Sequence, residues 1–159
     1  MKLVVLAVGR LKSGPEADLV ERYAGRAAPL ARRLGMSGPD LVEVEAKSKD
    51  PARRRDDEAL KLAAAAPTGA KRVVLDERGD SLRTDDFASY LDRWAGSGAP
   101  ATAFFIGGAD GHGAQIVKDA DLALSFGRAV WPHMLVRAML AEQIYRALSI
   151  LAGHPYHRS

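Results

Sequence analysis

The C-terminal third of the chain decides the fold: it reads FFIGGADGHG over residues 104–113 and LALSFGRAVWPHMLVRAMLAEQIYRALSILAGHPYHRS over residues 122–159. The first stretch is an apolar run that breaks into glycines, which is typical of a buried strand ending at a turn. The second passes from a short apolar run into a long helical pattern and a tail rich in His, Tyr and Arg. From Leu124 onward, Glu142 is the only carboxylate side chain. The end of the chain is therefore almost purely cationic, which favours an anionic partner.

Composition indicates an ordinary globular protein. Of its 159 residues, 47% are hydrophobic and 27% are charged, and the formal net charge is +3. A chain of this length is expected to form a single domain, residues 1–159, with a real hydrophobic core. The mild positive charge permits a polyanionic partner without requiring one. Because the chain contains no cysteine, disulfides and thiolate metal sites are excluded.

The N-terminal stretch MKLVVLAVGRLK predicts a core strand and not a signal peptide. It lacks a small-residue cleavage site, and charges follow its apolar run at Arg10 and Lys12. No apolar run approaches the roughly 20 residues that a membrane span requires. We therefore expect a cytoplasmic protein with no membrane association.

Strand and helix patterns alternate along the whole chain. The predicted strands span residues 2–8, 40–46, 71–75, 101–106 and 121–126. The predicted helices span residues 15–34, 51–66, 84–95, 113–120 and 132–151, with Thr84 expected to cap the third. The run Arg53–Arg55 is followed at once by three acidic residues, which favours a solvated helix face over an RNA-binding patch. This alternation predicts an α/β fold with a mostly parallel sheet flanked by helices.

Three predicted strand ends carry residues suited to a ligand: 75–77, 107–111 and 126–128. Ligands of such sheets bind at the carboxyl ends of the strands, and glycines there let the backbone approach closely. Glycine spacing alone favours a merely flexible turn for residues 107–113 over a ligand-binding loop, because glycine-rich loops are common. No GxGxxG motif opens a helix and no Walker lysine is present, so dinucleotide binding and nucleotide hydrolysis lack support.

The tail GHPYHRS, residues 153–159, is poor material for a helix or a core. Its imidazoles, phenol and guanidinium suit phosphate contact, base stacking or proton transfer. A disordered tail is the main alternative. His154 and His157 do not indicate a metal site, because no Cys and no nearby carboxylate accompany them. The long helix before the tail is apolar on more than one face, which predicts packing against a second subunit.

Two of these stretches together resemble one family. Residues 104–111, FFIGGADG, resemble the motif (F/L)xIGG(A/P)(D/E)G, and residues 132–158 resemble the signature PHxLxRxxLxEQxYRAxxIxxxHPYHR. Both are typical of the ribosomal large-subunit methyltransferase H family, the SPOUT-class enzymes that methylate N3 of a pseudouridine in 23S ribosomal RNA. The stretches KLVVLAVGRLK and VVLDERG and the chain length also fit, so the resemblance covers the whole chain.

The resemblance implies a fold that periodicity does not reveal. SPOUT domains tie a trefoil knot near the C-terminus, and S-adenosylmethionine binds in that knot without a metal. Topology rules alone predict an unknotted sheet, because knots are nearly absent from proteins. The family also implies a homodimer with the active site near the subunit interface, acting on the ribosome and its 23S RNA.

Carried over by position, the resemblance assigns three sets of residues. Those expected to hold S-adenosylmethionine are Leu75, Gly107, Gly108, Phe126, Gly127, Arg128, Ala129, Val130, Trp131 and His133. Those expected to position the nucleotide and transfer its proton are the tail residues His154, Tyr156, His157 and Arg158. Those expected to contact RNA phosphates are Arg10, Arg128 and Arg137. For the general base, His154, His157 and bulk water all stay open.

The chain departs from the family pattern at three positions. Family members often carry Ser at the position of Gly127, Lys at that of Arg128 and an apolar residue at that of His112. Two alternative functions also stay open: a ribosome-associated factor that lacks the cofactor pocket, and a SPOUT enzyme that acts on transfer RNA. The absence of an appended RNA-binding domain disfavours the transfer-RNA alternative.

Overall fold

The computed structural model describes residues 1–156, and strands alternate with helices along them. The strands are β1 (Lys2–Val8), β2 (Ser37–Val44), β3 (Lys71–Asp80), β4 (Ala101–Ile106) and β5 (Leu122–Leu124). The helices are α1 (Pro15–Arg33), α2 (Pro51–Ala65), α3 (Thr84–Gly96), α4 (Ala114–Lys118) and α5 (His133–Leu151). The strands pair in parallel in the order β2-β1-β4-β3-β5. The predicted α/β fold with a parallel sheet is confirmed.

The central strands β1 and β4 are buried on both faces, because helices cover both sides of the sheet. Side chains alternate between faces along a strand. Leu3 and Val5 of β1 accordingly join the core formed with α1, α3 and α5, whereas Val4 and Leu6 join the core formed with α2 and α4. This explains why both strands are continuous apolar runs in the sequence, as in other parallel sheets.

Several predicted boundaries and one predicted cap differ from the structure. Strand β2 begins at Ser37, three residues before the predicted start, and β5 is limited to Leu122–Leu124. The predicted cap of α3 by Thr84 is wrong. Arg83 is the N-cap residue and makes no side-chain capping bond, whereas the Thr84 hydroxyl donates to Oε1 of Gln143 at 3.0 Å. Thr84 therefore joins α3 to α5 instead of capping its own helix.

Strand β3 continues to Asp80, five residues beyond its predicted end, and pairs with β5 at two separate places along its length. Leu75 and Asp80 both lie opposite Leu124, so the residues between them arch away from the sheet and return. The Ser125 amide donates to the Asp80 carbonyl at 2.9 Å and holds the return. A Cβ added at Gly79 would lie 2.6 Å from the backbone of Ala123, so only glycine fits this crossing. The trefoil knot itself stays a prediction.

Helix α5 packs mainly against α1 and α3, and it carries the chain from the end of β5 to the tail. Its residues Leu140, Ile144 and Leu148 are fully buried. Within residues 1–156, none of the helices combines the length and apolar character needed to cross a membrane.

Candidate cofactor-binding site

A cavity of about 780 Å³ lies where the ends of β3, β4 and β5 meet. Its walls include residues 75–78 within β3, Ile106 at the end of β4 with residues 107–112 after it, and residues 126, 127 and 129–133 after β5. These three strands are neighbours in a parallel sheet, so their carboxyl ends lie at one edge. The cavity volume is in the range of about 300–1,000 Å³ that small-molecule sites occupy.

The structure brings the predicted cofactor residues together. The predicted residues that line this cavity are Leu75, Gly107, Gly108, Phe126, Gly127, Ala129, Val130, Trp131 and His133. Arg128 is exposed and does not line it. That these residues bind the cofactor stays a prediction, but their convergence is a property of the fold.

The cavity suits a flat apolar group with polar edges. Ile106 is buried at its base, while Val130 and Trp131 are 84% and 42% exposed at its rim. Large apolar side chains left open to solvent around a cavity are typical of a binding site. The Trp131 indole donates to the Phe126 carbonyl at 3.3 Å, which holds the ring at the rim. The residues present thus fit the adenosyl group of S-adenosylmethionine.

The glycine loop, residues 107–113, is held in shape by its own contacts. The Gly107 amide donates to Nε2 of His112 at 3.1 Å, and the Gly111 amide donates to the Gly108 carbonyl at 3.1 Å. A Cβ at Gly107 would lie 3.1 Å from backbone atoms of Gly111. Burial lowers the pKa of His112, although the nearby Asp76 carboxylate opposes this effect. A neutral imidazole can accept the hydrogen bond from the Gly107 amide. His112, which stands where family members often have an apolar residue, therefore closes the loop.

The turn after Leu75 is fixed by an ion pair that the sequence reasoning did not single out. Oδ1 of Asp76 accepts from the Arg78 amide at 2.9 Å and from Nε of Arg78 at 3.0 Å. The Arg78 hydrogen bond is the main reason that the pKa of Asp76 lies below its usual value. The carboxylate stays ionised at the cavity wall and keeps the turn closed over it.

His133, on the opposite wall, is a neutral side chain at the start of α5. Burial lowers its pKa, and the nearby Arg137 charge lowers it further. His133 therefore presents an uncharged ring to the cavity near neutral pH, which suits contact with a neutral part of a ligand.

The described part of the tail lies away from this cavity. The Tyr156 ring packs 4.5 Å from the Tyr145 ring, between the guanidinium groups of Arg26 and Arg146, and its hydroxyl donates to Oε1 of Glu142 at 3.2 Å. Burial raises the pKa of Tyr156 to about 12, so the phenol stays protonated. Nδ1 of His154 accepts from the Tyr156 amide at 3.2 Å. His157 and Arg158 lie outside the described residues.

The three predicted phosphate contacts have different surroundings. Arg10 and Arg128 are exposed, and within residues 1–156 the Arg10 side chain makes only a long, 3.5 Å contact with Glu45. The Arg137 side chain has no exposed surface: Nη2 donates to the Val8 and Gly9 carbonyls, and Nη1 donates to Oε1 of Glu43 at 2.8 Å. Arg137 is thereby removed from the phosphate contacts, because a guanidinium enclosed in this way does not reach an external anion.

Comparison with known proteins identifies the family. A family model described as "Predicted SPOUT methyltransferase" matches residues 1–157. The chain is 51% identical to the ribosomal RNA large subunit methyltransferase H of Rhodopseudomonas palustris (strain HaA2) over 160 residues, covering 100% of both chains. It is 49% identical to the protein of that name from Bradyrhizobium sp. (strain ORS 278), covering 100% of this chain and 99% of the relative.

A solved structure supports the same fold at low sequence identity. A probable methyltransferase from Bordetella pertussis Tohama I superposes with a TM-score of 0.50 at 15% identity, covering 92% of this chain and 95% of that one. This likeness supports the fold alone, whereas the family model and the full-length sequence matches confirm the family predicted from the C-terminal motifs and the methyltransferase activity. The chain belongs to the SPOUT methyltransferase family.

Proposed function

We propose that the protein transfers the methyl group of S-adenosylmethionine to N3 of a pseudouridine in 23S ribosomal RNA, on the assembled ribosome in the cytoplasm. The observation that carries this is the single cavity formed by the three strand ends that the family motifs mark. The named activity of the full-length relatives supports the choice of ribosomal RNA as substrate.

When bound, S-adenosylmethionine supplies a methyl group on a positively charged sulfur. The reaction forms a bond from that carbon to N3, breaks the carbon–sulfur bond and releases the N3 proton. The chain contributes alignment and an environment with little water, because Leu75, Ile106 and Phe126 present apolar surface to the cavity. The proposed nucleotide-positioning groups are His154, Tyr156, His157 and Arg158, and the proposed phosphate contacts are Arg10 and Arg128.

We also propose that the active unit is a homodimer in which the tail of one subunit completes the cavity of the other. Neither His154 nor Tyr156 lines the cavity of its own chain. A second, largely apolar groove of about 530 Å³ lies between α1, α5 and the start of α3, and shares Leu124 and Phe126 with the cavity wall. A second copy seated on this groove would bring its own chain next to the cavity.

Mass-spectrometric analysis of 23S ribosomal RNA tests the reaction. Cells that contain the gene are expected to carry one N3-methylpseudouridine that is lost on deletion and restored by the wild-type gene. Purified protein is expected to restore it on isolated 70S ribosomes. Unchanged RNA after deletion, or methylation of transfer RNA alone, would contradict the proposal.

A complementation experiment tests the shared site. Deletion of residues 155–159 is expected to reduce methylation about tenfold or more while leaving the affinity for S-adenosylmethionine within about twofold, because the tail handles the nucleotide and its proton. Co-expression of this variant with Gly108→Val, an intact-tail variant whose added side chain would meet Glu58 and Val8 and displace the glycine loop of the cavity, is expected to restore about a quarter of wild-type activity. This follows because about half of the dimers are mixed and each has one complete site. No restoration, with mixed dimers demonstrated, would place the tail in its own subunit's site.

A further inference from the structure

Helix α2 lies directly behind the glycine loop and touches it at three places. Nε of Arg54 donates to Oδ2 of Asp110 at 3.0 Å, with a second bond from Nη2 to the same oxygen. One turn further along the helix, Glu58 faces Gly108, and next to it Ala59 faces Gly113. The contacts therefore reach the beginning, the tip and the end of the loop.

Glu58 fills the space behind Gly108. A Cβ added at Gly108 would lie 2.9 Å from Oε2 and 3.2 Å from Oε1 of Glu58. Glu58 is only 6% exposed, and its Oε2 has no hydrogen-bond partner among residues 1–156. A buried carboxylate without partners is costly when it is charged. Its setting therefore favours the neutral acid, packed against the loop as a spacer.

We propose that α2 acts as a brace, a support that lies behind the glycine loop of the cofactor site. In this brace, Arg54 and Glu58 are positioning residues that hold the loop in the position that binding of S-adenosylmethionine requires. The proposal rests on the proposed location of the cofactor in the cavity. Neither side chain needs to touch the cofactor. Arg54 anchors the tip of the loop through Asp110, and Glu58 limits how far the first residues of the loop can move towards α2.

The charges around Glu58 make the brace sensitive to pH. Burial raises the pKa of Glu58, Arg54 opposes this effect, and Asp110 and Asp57 add to it. Because the folded-state pKa is raised, the neutral form and its contribution are present at low pH and are lost as the pH rises through that pKa. Ionised Glu58 would compete with Asp110 for the Arg54 guanidinium and so release the loop.

Calorimetric titration of the full-length protein with S-adenosylmethionine tests the anchor. Arg54→Ala and Asp110→Ala are each expected to weaken binding about tenfold, as loss of a hydrogen bond between charged groups allows, and the double variant no further. Arg53→Ala, on the exposed neighbouring residue of the same helix, is the matched control and should leave the affinity unchanged. Unchanged affinity in Arg54→Ala, or additive losses of affinity in the double variant, would contradict the proposal that Arg54 anchors the loop through Asp110.

The pH dependence of the same titration tests the spacer. As the pH rises through the raised pKa of Glu58, wild-type affinity is expected to fall because the carboxyl group ionises. Glu58→Gln keeps the shape and stays neutral, so its affinity should match the low-pH wild type and stay flat. Glu58→Ala should weaken binding at every pH. Superimposable profiles for the wild type and Glu58→Gln would contradict the role of Glu58.

The failure of the brace is distinguishable from failure of the cofactor site. Gly108→Val would clash with Glu58 and Val8 behind the loop, which would displace the loop itself, and is expected to abolish binding. If Gly108→Val loses binding while the Arg54 and Glu58 variants keep it, the site stands and the brace is wrong. If the wild type binds S-adenosylmethionine and Gly108→Val binds it equally well, the location of the site is wrong.

Discussion

Replacing Arg137 with methionine is expected to lower the free energy of unfolding by about 3–5 kcal/mol, the usual cost of removing one partner of a buried ion pair. The guanidinium joins α5 to the ends of β1 and β2 through the Val8 and Gly9 carbonyls and the Glu43 carboxylate. Methionine keeps most of the length but donates to none of them. Because small proteins are stable by only about 5–15 kcal/mol, urea unfolding should show a large shift of the midpoint.

Two further variants separate the charge pair from packing. Glu43→Gln leaves the buried guanidinium without its counter-charge, but it is expected to cost less than Arg137→Met, because Arg137 keeps both carbonyl bonds and the amide oxygen can still accept from the Leu11 amide. Adding Glu43→Gln to Arg137→Met should recover part of the loss, since the uncompensated carboxylate is then removed. If Arg137→Met unfolds at the wild-type urea concentration, the buried anchor is not what joins these elements.

Replacing Gly79 with valine is expected to destabilise the protein by about 3 kcal/mol or more and to abolish binding of S-adenosylmethionine. A side chain there would lie 2.6 Å from the backbone of Ala123 and 2.9 Å from that of Leu124. Backbone atoms in a sheet cannot relieve such a clash by changing rotamer, as a side chain can. The close contact between β3 and β5 would open, and with it the wall formed by residues 75–78. Urea unfolding and calorimetric titration measure the two effects.

The matched control is Gly25→Ala, on the exposed surface of α1. A Cβ there meets nothing within 4 Å, so the variant should be more stable by about 0.5–1 kcal/mol, the usual preference of a helix for alanine over glycine. Its cofactor affinity should equal that of the wild type. A Gly79→Val protein as stable as the wild type would mean that β3 and β5 do not cross this closely.

The sequence was most informative where one physical cause determined the pattern. Strands β1 and β4 have their predicted bounds, because burial on both faces makes each a continuous apolar run. The three strand ends form one cavity because they close adjacent parallel strands. The cofactor and the reaction were predicted from the family motifs and not from periodicity, because an α/β sheet of this pattern does not by itself indicate a ligand.

The sequence was least informative where a side chain's role depends on a distant partner. The helical pattern marked Arg137 as cationic but did not show that the β1 carbonyls would enclose it. The polar residues after Leu75 hid the continuation of β3 to Asp80, because apolar periodicity stops there. The solvated face predicted for Arg53–Arg55 holds for Arg53, whereas Arg54 is tied to Asp110 of the glycine loop. Arg55 is exposed as well but lines the cavity.

The central claim is that the ends of β3, β4 and β5 form the binding site for the methyl donor. A crystal structure of the protein soaked with S-adenosylmethionine tests this most directly. We expect the adenosyl group to occupy the cavity between Leu75, Gly108 and Phe126, with the methyl group on the sulfur open towards the rim. Density for the cofactor elsewhere on the molecule, with this cavity filled only by water, would contradict it.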